Sequence, residues 1–243
     1  MELKFIGTGS AFSDDVNNSA YLIKNGNMFL IDCGETVFAT LKKSGLLDKV
    51  ENLYVFITHT HSDHIGSLSS LIHYMYYIRQ KQVSILVDEN YEIKEDINTL
   101  LKINGNSNEQ FNFENFEKVG ILLGLKSISI CEVKHSLNLK SYALRLEEIV
   151  NGKTESIVFT GDTCDEEFIL KSLQDEYLKK IYVDVSVYGG VHLQLDRALH
   201  ILKNYKDKVV FMHIENGFVK NRLQSEGFSY AVQDISMSAD KIL

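Results

Sequence analysis

The apolar residues of this chain fall into short runs that alternate with longer amphipathic stretches. Short apolar runs bounded by glycine, asparagine and aspartate predict strands, and apolar residues at helical spacing predict helices. Strands are predicted over residues 3–6, 19–24, 27–32, 53–57, 83–87, 127–133, 141–146, 156–160, 181–187 and 208–212. Helices are predicted over residues 35–44, 67–80, 91–102, 166–179 and 194–204. This order favours two sheets packed face to face with helices outside, but periodicity alone equally allows one doubly wound sheet.

The predicted helix over residues 67–80 is apolar and aromatic around much of its circumference. A helix with this pattern is buried on several sides, either within the fold or against a second subunit. The pattern is therefore one reason to expect an interface between two copies of the chain.

Metal-binding side chains are concentrated in residues 59–64, directly after the apolar run at 53–57. This block reads His-Thr-His-Ser-Asp-His, and an ideal helix could not bring its four ligand side chains to one face. A loop leaving a buried strand could fold all four around a centre. Imidazole nitrogens and carboxylate oxygens suit Zn²⁺, and also Mn²⁺ or iron.

Three later positions repeat this setting, because each follows an apolar strand. They are His135, Asp162 and His213. Each is a weak indication by itself, since a lone histidine or a turn aspartate usually has a structural role. Together with the first block they supply five histidines and two aspartates at strand exits, which suits two metal ions bridged by one carboxylate.

Composition narrows the class of protein. The chain has 243 residues, a net charge of −8 and no proline, and we expect one domain over residues 1–243. It has no apolar run long enough to span a membrane and no signal peptide at its start. Three cysteines, an odd and low count, predict a reducing cytoplasm. Cys33 and Cys131 follow strand-like runs and are expected to be buried.

The metal-ligand pattern resembles that of the metallo-β-lactamase-fold hydrolases. The His-x-His-x-Asp-His block, the single later histidine, the Gly-Asp-Thr acid and the final strand-end histidine occur in that family's order. The resemblance implies an α/β fold, a four-layer αββα sandwich. It also implies two ligand sets, with one metal held by His59, His61 and His135, a second held by Asp63, His64 and His213, and Asp162 between them.

Further motifs resemble the phosphodiesterase branch that includes ribonuclease Z. They are residues 5–12, residues 31–35, and the stretch around Asp184 and His192. In ribonuclease Z the comparable stretch carries an acid and a histidine that assists departure of the leaving group. This resemblance implies those roles for Asp184 and His192, although His192 could equally be a structural histidine before the next helix. Asp63 is expected to orient the nucleophile while it binds metal.

The chain departs from ribonuclease Z between His135 and Asp162. Ribonuclease Z usually has a long basic arm there that grips transfer RNA, whereas this stretch holds only a strand hairpin. The negative net charge also argues against a stable nucleic-acid partner. In size and layout the chain is more similar to the phage anti-Pycsar family, which degrades cyclic-nucleotide alarm signals of the host.

The anti-Pycsar resemblance implies two Zn²⁺ per subunit, with Mn²⁺ as an alternative, a homodimer, and hydrolysis of cyclic mononucleotides. The expected location is the cytoplasm, that of the host if a phage encodes the protein. Three other functions stay open. They are transfer-RNA 3′-end processing, hydrolysis of a thioester, lactone or β-lactam, and non-catalytic nucleotide sequestration.

Overall fold

The computed structural model describes residues 1–235, whose strands form two six-stranded sheets. The first sheet contains, in spatial order, β1 Lys4–Gly7, β2 Ser19–Lys24, β3 Asn27–Ile31, β4 Asn52–Phe56, β5 Val83–Val87 and β6 Phe111–Asn115. The second contains β12 Ser229–Tyr230, β11 Val209–Met212, β10 Leu178–Asp184, β9 Lys153–Phe159, β8 Ser141–Val150 and β7 Ser127–Val133.

The helices lie between the strands along the chain. They are α1 Val37–Ser44, α2 Ser62–Ile65, α3 Leu68–Tyr77, α4 Lys94–Ile103, α5 Phe116–Leu122, α6 Glu166–Leu173, α7 Leu195–Leu202 and α8 Gly217–Ser225. No helix within residues 1–235 is long and apolar enough to cross a membrane.

Alternation along the strands of the second sheet explains the layering. In β9, Ile157 and Phe159 join a core that also contains Phe29 and Phe56 of the first sheet. Val158, between them, faces the opposite way and packs in a second core with residues of α6, α7 and α8. Because successive strand residues point to opposite faces, the second sheet contacts the first sheet on one face and helices on the other. The predicted αββα sandwich is confirmed, and the single doubly wound sheet is wrong.

Two Asn-Gly pairs close hairpins, as the sequence predicts. Asn25 and Gly26 have φ of 52° and 75°, and Asn151 and Gly152 have φ of 52° and 76°. Consecutive positive φ values are typical of the two-residue turn that matches strand twist. These turns fix the β2–β3 and β8–β9 registers.

Several predicted boundaries differ from the structure. The predicted helix over residues 166–179 ends at Leu173, and the following strand covers Leu178–Asp184, not residues 181–187. The sequence interpretation also missed β6, α5, α8 and β12 altogether. Cys131, which was expected to be buried, is exposed on β7, whereas Cys33 is buried as predicted.

The aromatic helix α3 is buried on only part of its surface. Leu68, Leu71, Ile72 and Met75 lie in the core, but the Tyr77 side chain is 64% exposed and that of Ile78 is 65% exposed. The helix therefore leaves an apolar end uncovered in the single chain.

Candidate metal centre

The predicted ligands meet because their strands end at one edge of the sandwich. Strands β9, β10 and β11 are parallel, and β7 runs in the same direction because it is antiparallel to β8, which is antiparallel to β9. The carboxyl ends of these strands consequently share one edge. At this edge the backbone N–H of Tyr142 donates to the carbonyl of Thr58, so the two sheets are joined beside the histidine block.

The histidine block is held by a one-turn helix. After β4, residues Ser62–Ile65 form α2, whereas the sequence favoured an irregular loop. The turn packs tightly on the segment after β3, where a Cβ on Gly34 would lie 1.9 Å from the carbonyl oxygen of Asp63. Only glycine leaves room for this approach, which aims Asp63 and His64 into the interior.

Three histidines form the first ligand set. Nδ1 of His61 lies 3.0 Å from Nε2 of His59 and 3.3 Å from Nε2 of His135. One nitrogen from each ring is thus within 4.8 Å of the other two. His59 is fully buried, His135 is half-buried and His61 is exposed.

The second set, Asp63, His64 and His213, lies around Asp162, and all four residues are buried. The Oδ2 atom of Asp162 lies 3.3 Å from Nε2 of His64, 3.3 Å from Nε2 of His213 and 4.0 Å from Nε2 of His59. Oδ2 of Asp63 lies 3.3 Å from Nε2 of His64 and 3.2 Å from Nε2 of His213. The carboxylate of Asp162 therefore faces both ligand sets.

These separations fit metal ions. In a tetrahedral site with bonds of about 2.0–2.1 Å, neighbouring ligand atoms lie about 3.3 Å apart. In addition, Nε2 of His64 and Oδ1 of Asp162 are buried without a hydrogen-bond partner in the described part of the chain. Because unpaired buried polar atoms are costly, their position favours a bound cation.

Burial and charge set the protonation of the ligands. Burial lowers the pKa of His59 well below its ordinary value, and it also lowers the pKa of His135. Burial alone would raise the pKa of Asp162, but the charges of His213 and His64 lower it well below its ordinary range. Neutral imidazole and ionised carboxylate are the forms that bind metal.

His64 indicates that the interior favours positive charge. Burial acts to lower its pKa, but the carboxylates of Asp162 and Asp32 raise that pKa well above the ordinary histidine value. Either a proton or a metal ion at Nε2 would offset these buried carboxylates.

Asp32, which contacts the predicted ligand His64, is a residue that the sequence interpretation missed. Its Oδ2 lies 2.8 Å from Nδ1 of His64 and accepts the hydroxyl of Thr58 at 2.9 Å, while its Oδ1 accepts the Thr58 N–H at 2.7 Å. The same Thr58 hydroxyl lies 3.0 Å from Nδ1 of His59. Outer partners of this kind fix the tautomer and orientation of ligating histidines.

His192 and Asp184 lie beside the second ligand set. Nδ1 of His192 is 2.8 Å from Oδ2 of Asp184, and 3.7 Å from Oδ2 of Asp162. Burial acts to lower the pKa of His192, but the hydrogen bond with Asp184 and the charge of Asp162 raise it to about 9. The two carboxylates therefore favour the protonated form of the ring. Because Nδ1 faces Asp184, Nε2 is the nitrogen left to meet a substrate.

The remaining cysteine near the site, Cys164, is outside both ligand sets. Its Sγ lies 3.6 Å from the carbonyl oxygen of Lys134. All the residues predicted as ligands are brought together, and Asp184 and His192 join them at the same edge.

Relatives in sequence cover almost the same length of chain. The model of the family described as Anti-Pycsar protein Apyc1 matches residues 1–237. An Anti-Pycsar protein Apyc1 from Bacillus phage vB_BveM-Goe7 is 28% identical over 236 residues, which cover 87% of this chain and 88% of the relative.

Solved structures with this fold include the metallo-β-lactamase fold protein YhfI from Bacillus subtilis, with a TM-score of 0.69, 17% identity and 96% coverage of each chain. The short form of human tRNase Z superposes with a TM-score of 0.66 and 17% identity, covering 97% of this chain and 98% of that one. The family match over residues 1–237 and the shared two-sheet architecture lead to the same conclusion. The chain is a member of the anti-Pycsar protein Apyc1 family and has the metallo-β-lactamase fold.

Proposed function

We propose that this protein is a dinuclear metal-dependent phosphodiesterase that opens 3′,5′-cyclic nucleotides to linear nucleoside monophosphates. The observation that carries the proposal is the arrangement of two ligand sets around the single carboxylate of Asp162. Pairs of metal ions at this spacing of ligands are typical of enzymes that cleave phosphate esters.

Two Zn²⁺ ions, or Mn²⁺ in their place, would acidify water and offset the negative charge of the phosphate. His59, His61 and His135 would hold one ion, and Asp63, His64 and His213 would hold the other. Asp162 would bind both.

The remaining polar residues act on the substrate. Asp63 also orients the attacking water, because its carboxylate is fixed by His64 and His213. His192 donates a proton from Nε2 to the departing ribose oxygen, while Asp184 holds the ring by Nδ1 and supports its positive charge. Positioned acid catalysis of this kind typically contributes a factor of about 10² to 10⁴ in rate.

Family membership supports cyclic nucleotides as the substrates. The relative from a Bacillus phage carries the name anti-Pycsar protein, and we infer that this chain likewise removes cyclic-nucleotide signals, acting in the cytoplasm of a bacterial host. The chain between His135 and Asp162 consists of a short connection and the β8–β9 hairpin. It offers no arm for transfer RNA, so a small substrate fits better.

We also propose that two copies associate. The exposed end of α3 at Tyr77 and Ile78 is apolar surface that a second copy would cover. Light scattering at micromolar concentration should report a dimer, and a clean monomer would contradict this part of the proposal.

Product chromatography tests the function. The protein with Zn²⁺ or Mn²⁺ is incubated separately with cyclic AMP, GMP, CMP and UMP, with a precursor transfer RNA, and with thioester and lactone substrates. Linear monophosphates from several cyclic nucleotides, with RNA and esters intact, are expected. Trimmed RNA alone would make the protein a processing nuclease, and ester turnover alone would make it an acyl hydrolase. Nucleotide binding without product would indicate sequestration.

A further inference from the structure

The loop between β10 and α7 contacts His135 of the first ligand set and carries His192, which lies beside the second set. Its ends are tied together, because the N–H of Ser186 donates to the carbonyl of Leu193 and the N–H of Leu195 donates to the carbonyl of Ser186. Between these ties lie Gly189 and Gly190, both with positive φ, and the exposed Tyr188.

The same loop delivers two groups to the site. The carbonyl oxygen of Val191 lies 3.0 Å from Nδ1 of His135, so it orients a ligand of the first set. The next residue is His192, which pairs with Asp184. The position of this short segment consequently decides the orientation of both His135 and His192.

Glu215 fixes the strand side of the loop. Its Oε1 accepts the hydroxyl of Ser186 at 2.5 Å, and its Oε2 accepts the N–H of Val187 at 3.3 Å. The Ser186 oxygen in turn accepts the N–H of Tyr188 at 3.2 Å. One carboxylate thus fastens three consecutive residues of the loop.

Glu215 is itself held in place. It lies two residues after the ligand His213, which turns the chain with a φ of 56°. Between them, the N–H of Ile214 donates to the carbonyl of Thr8, and its carbonyl accepts the N–H of Ser10. The contacts of Glu215 with residues 186–188, which we call the clamp, are therefore attached to the same hydrogen-bonded segment that carries His213 of the second set.

We propose that Glu215 is a positioning residue, which couples the segment of His213 to the 186–192 loop and so orients both His135 and His192. The inference rests on the proposed function for its kinetic part and on the proposed metal centre for its binding part. Outer partners of metal ligands typically change metal affinity or activity by about 10- to 100-fold when they are removed.

The test combines metal affinity with kinetics. Zn²⁺ affinity of Glu215→Ala, Glu215→Gln and Ser186→Ala is measured by competition with a chromogenic chelator, and kcat and KM are measured with cyclic AMP. We expect Glu215→Ala to weaken one Zn²⁺ site by about tenfold or more and to lower kcat. Glu215→Gln, which keeps one carbonyl acceptor, should recover part of both losses.

Glu147→Ala is the matched control. Glu147 also accepts a serine hydroxyl, that of Ser127 at 3.1 Å, but it lies on β8 away from the ligands. This variant should leave Zn²⁺ affinity unchanged. If Glu215→Ala does not fold, Ser186→Ala, which removes only the hydroxyl from the clamp, carries the same test.

A double variant separates positioning from general loss of stability. If Glu215 acts on kcat through His192, adding Glu215→Ala to His192→Ala should lower kcat little further.

Wild-type Zn²⁺ affinity and wild-type kcat in Glu215→Ala would overturn the inference, as would equal losses in Glu147→Ala. The affinity measurement needs no substrate. A protein inactive on cyclic nucleotides would therefore contradict the proposed function, while the Zn²⁺ affinities of the variants would still test the role of Glu215.

Discussion

Replacing Asp32 by asparagine tests the hydrogen bonds that hold His64 in the metal centre. Asp32 is fully buried and adopts a φ of 62°, a conformation that asparagine tolerates better than most residues. The backbone should therefore be kept. What changes is the hydrogen bonding, because the carboxylate accepts from Thr58 and from Nδ1 of His64, whereas an amide offers only one acceptor oxygen.

Either orientation of the new amide disturbs the site. If its oxygen stays on the Thr58 N–H, its NH₂ group faces Nδ1 of His64, 2.8 Å from the replaced oxygen. His64 must then accept at Nδ1 and carry its proton on Nε2, the nitrogen that faces Asp63 and Asp162. If the amide is turned round, its NH₂ group faces the Thr58 N–H, and a buried donor without an acceptor costs about 1–3 kcal/mol.

We expect Asp32→Asn to weaken Zn²⁺ binding at the second ligand set by about 10- to 100-fold, which corresponds to about 1.4–2.7 kcal/mol. Chelator competition measures the affinity, and the hydrolysis rate should fall with it. Asp175→Asn is the control, because Asp175 is a partly buried carboxylate paired with Arg145 away from the ligands. Two tightly bound Zn²⁺ ions with unchanged affinity in Asp32→Asn would refute the tautomer argument.

Three further changes test other parts of the account. His192→Ala should lower kcat by about 10² to 10⁴ with metal content intact, whereas loss of metal would mean that His192 is structural. Gly34→Ala should destabilise the fold by about 1–3 kcal/mol or more, because its Cβ would meet the carbonyl of Asp63 at 1.9 Å; an unchanged melting temperature would contradict this. Removal of metal by a chelator should lower the melting temperature, since an ion at about a thousand times its Kd stabilises the folded state by about 4 kcal/mol. Added Zn²⁺ should restore it, and a melting temperature that does not respond would argue against a bound metal.

The convergence of the predicted ligands could be anticipated from the sequence because the three later ones closely follow apolar strands. His135, Asp162 and His213 come two, three and one residues after the ends of β7, β9 and β11, so the local pattern indicates both the strand and the candidate residue. The spatial convergence then follows from the common direction of these strands.

The residues that support the predicted ligands, Asp32 and Glu215, could not be predicted in the same way. Asp32 also follows a strand, but its role depends on the contact with Nδ1 of His64, which only the packing of β3 beside β4 creates. Likewise, the partner of Glu215 is a hydroxyl in another loop. Contacts of this kind join residues far apart in the sequence, and hydrophobic periodicity within one element gives no sign of them.

The missed elements have weak hydrophobic patterns. Helix α8 buries only Val219 and Leu223, which is too little to distinguish it from a polar loop by periodicity. Strand β6 has only two apolar residues, Phe111 and Phe113, beside Asn112 and Glu114, and it lies at the edge of its sheet. Its pairing with β5 supplies the stability that its own sequence does not indicate.

Titration of the metal-free protein with Zn²⁺, with metal content and cyclic AMP hydrolysis followed in the same samples, tests the central claim most directly. We expect little turnover at one equivalent of Zn²⁺ per chain, full turnover near two equivalents, and none in Asp162→Ala at any Zn²⁺ level. Full turnover without metal, or with a single bound ion, would contradict a dinuclear centre.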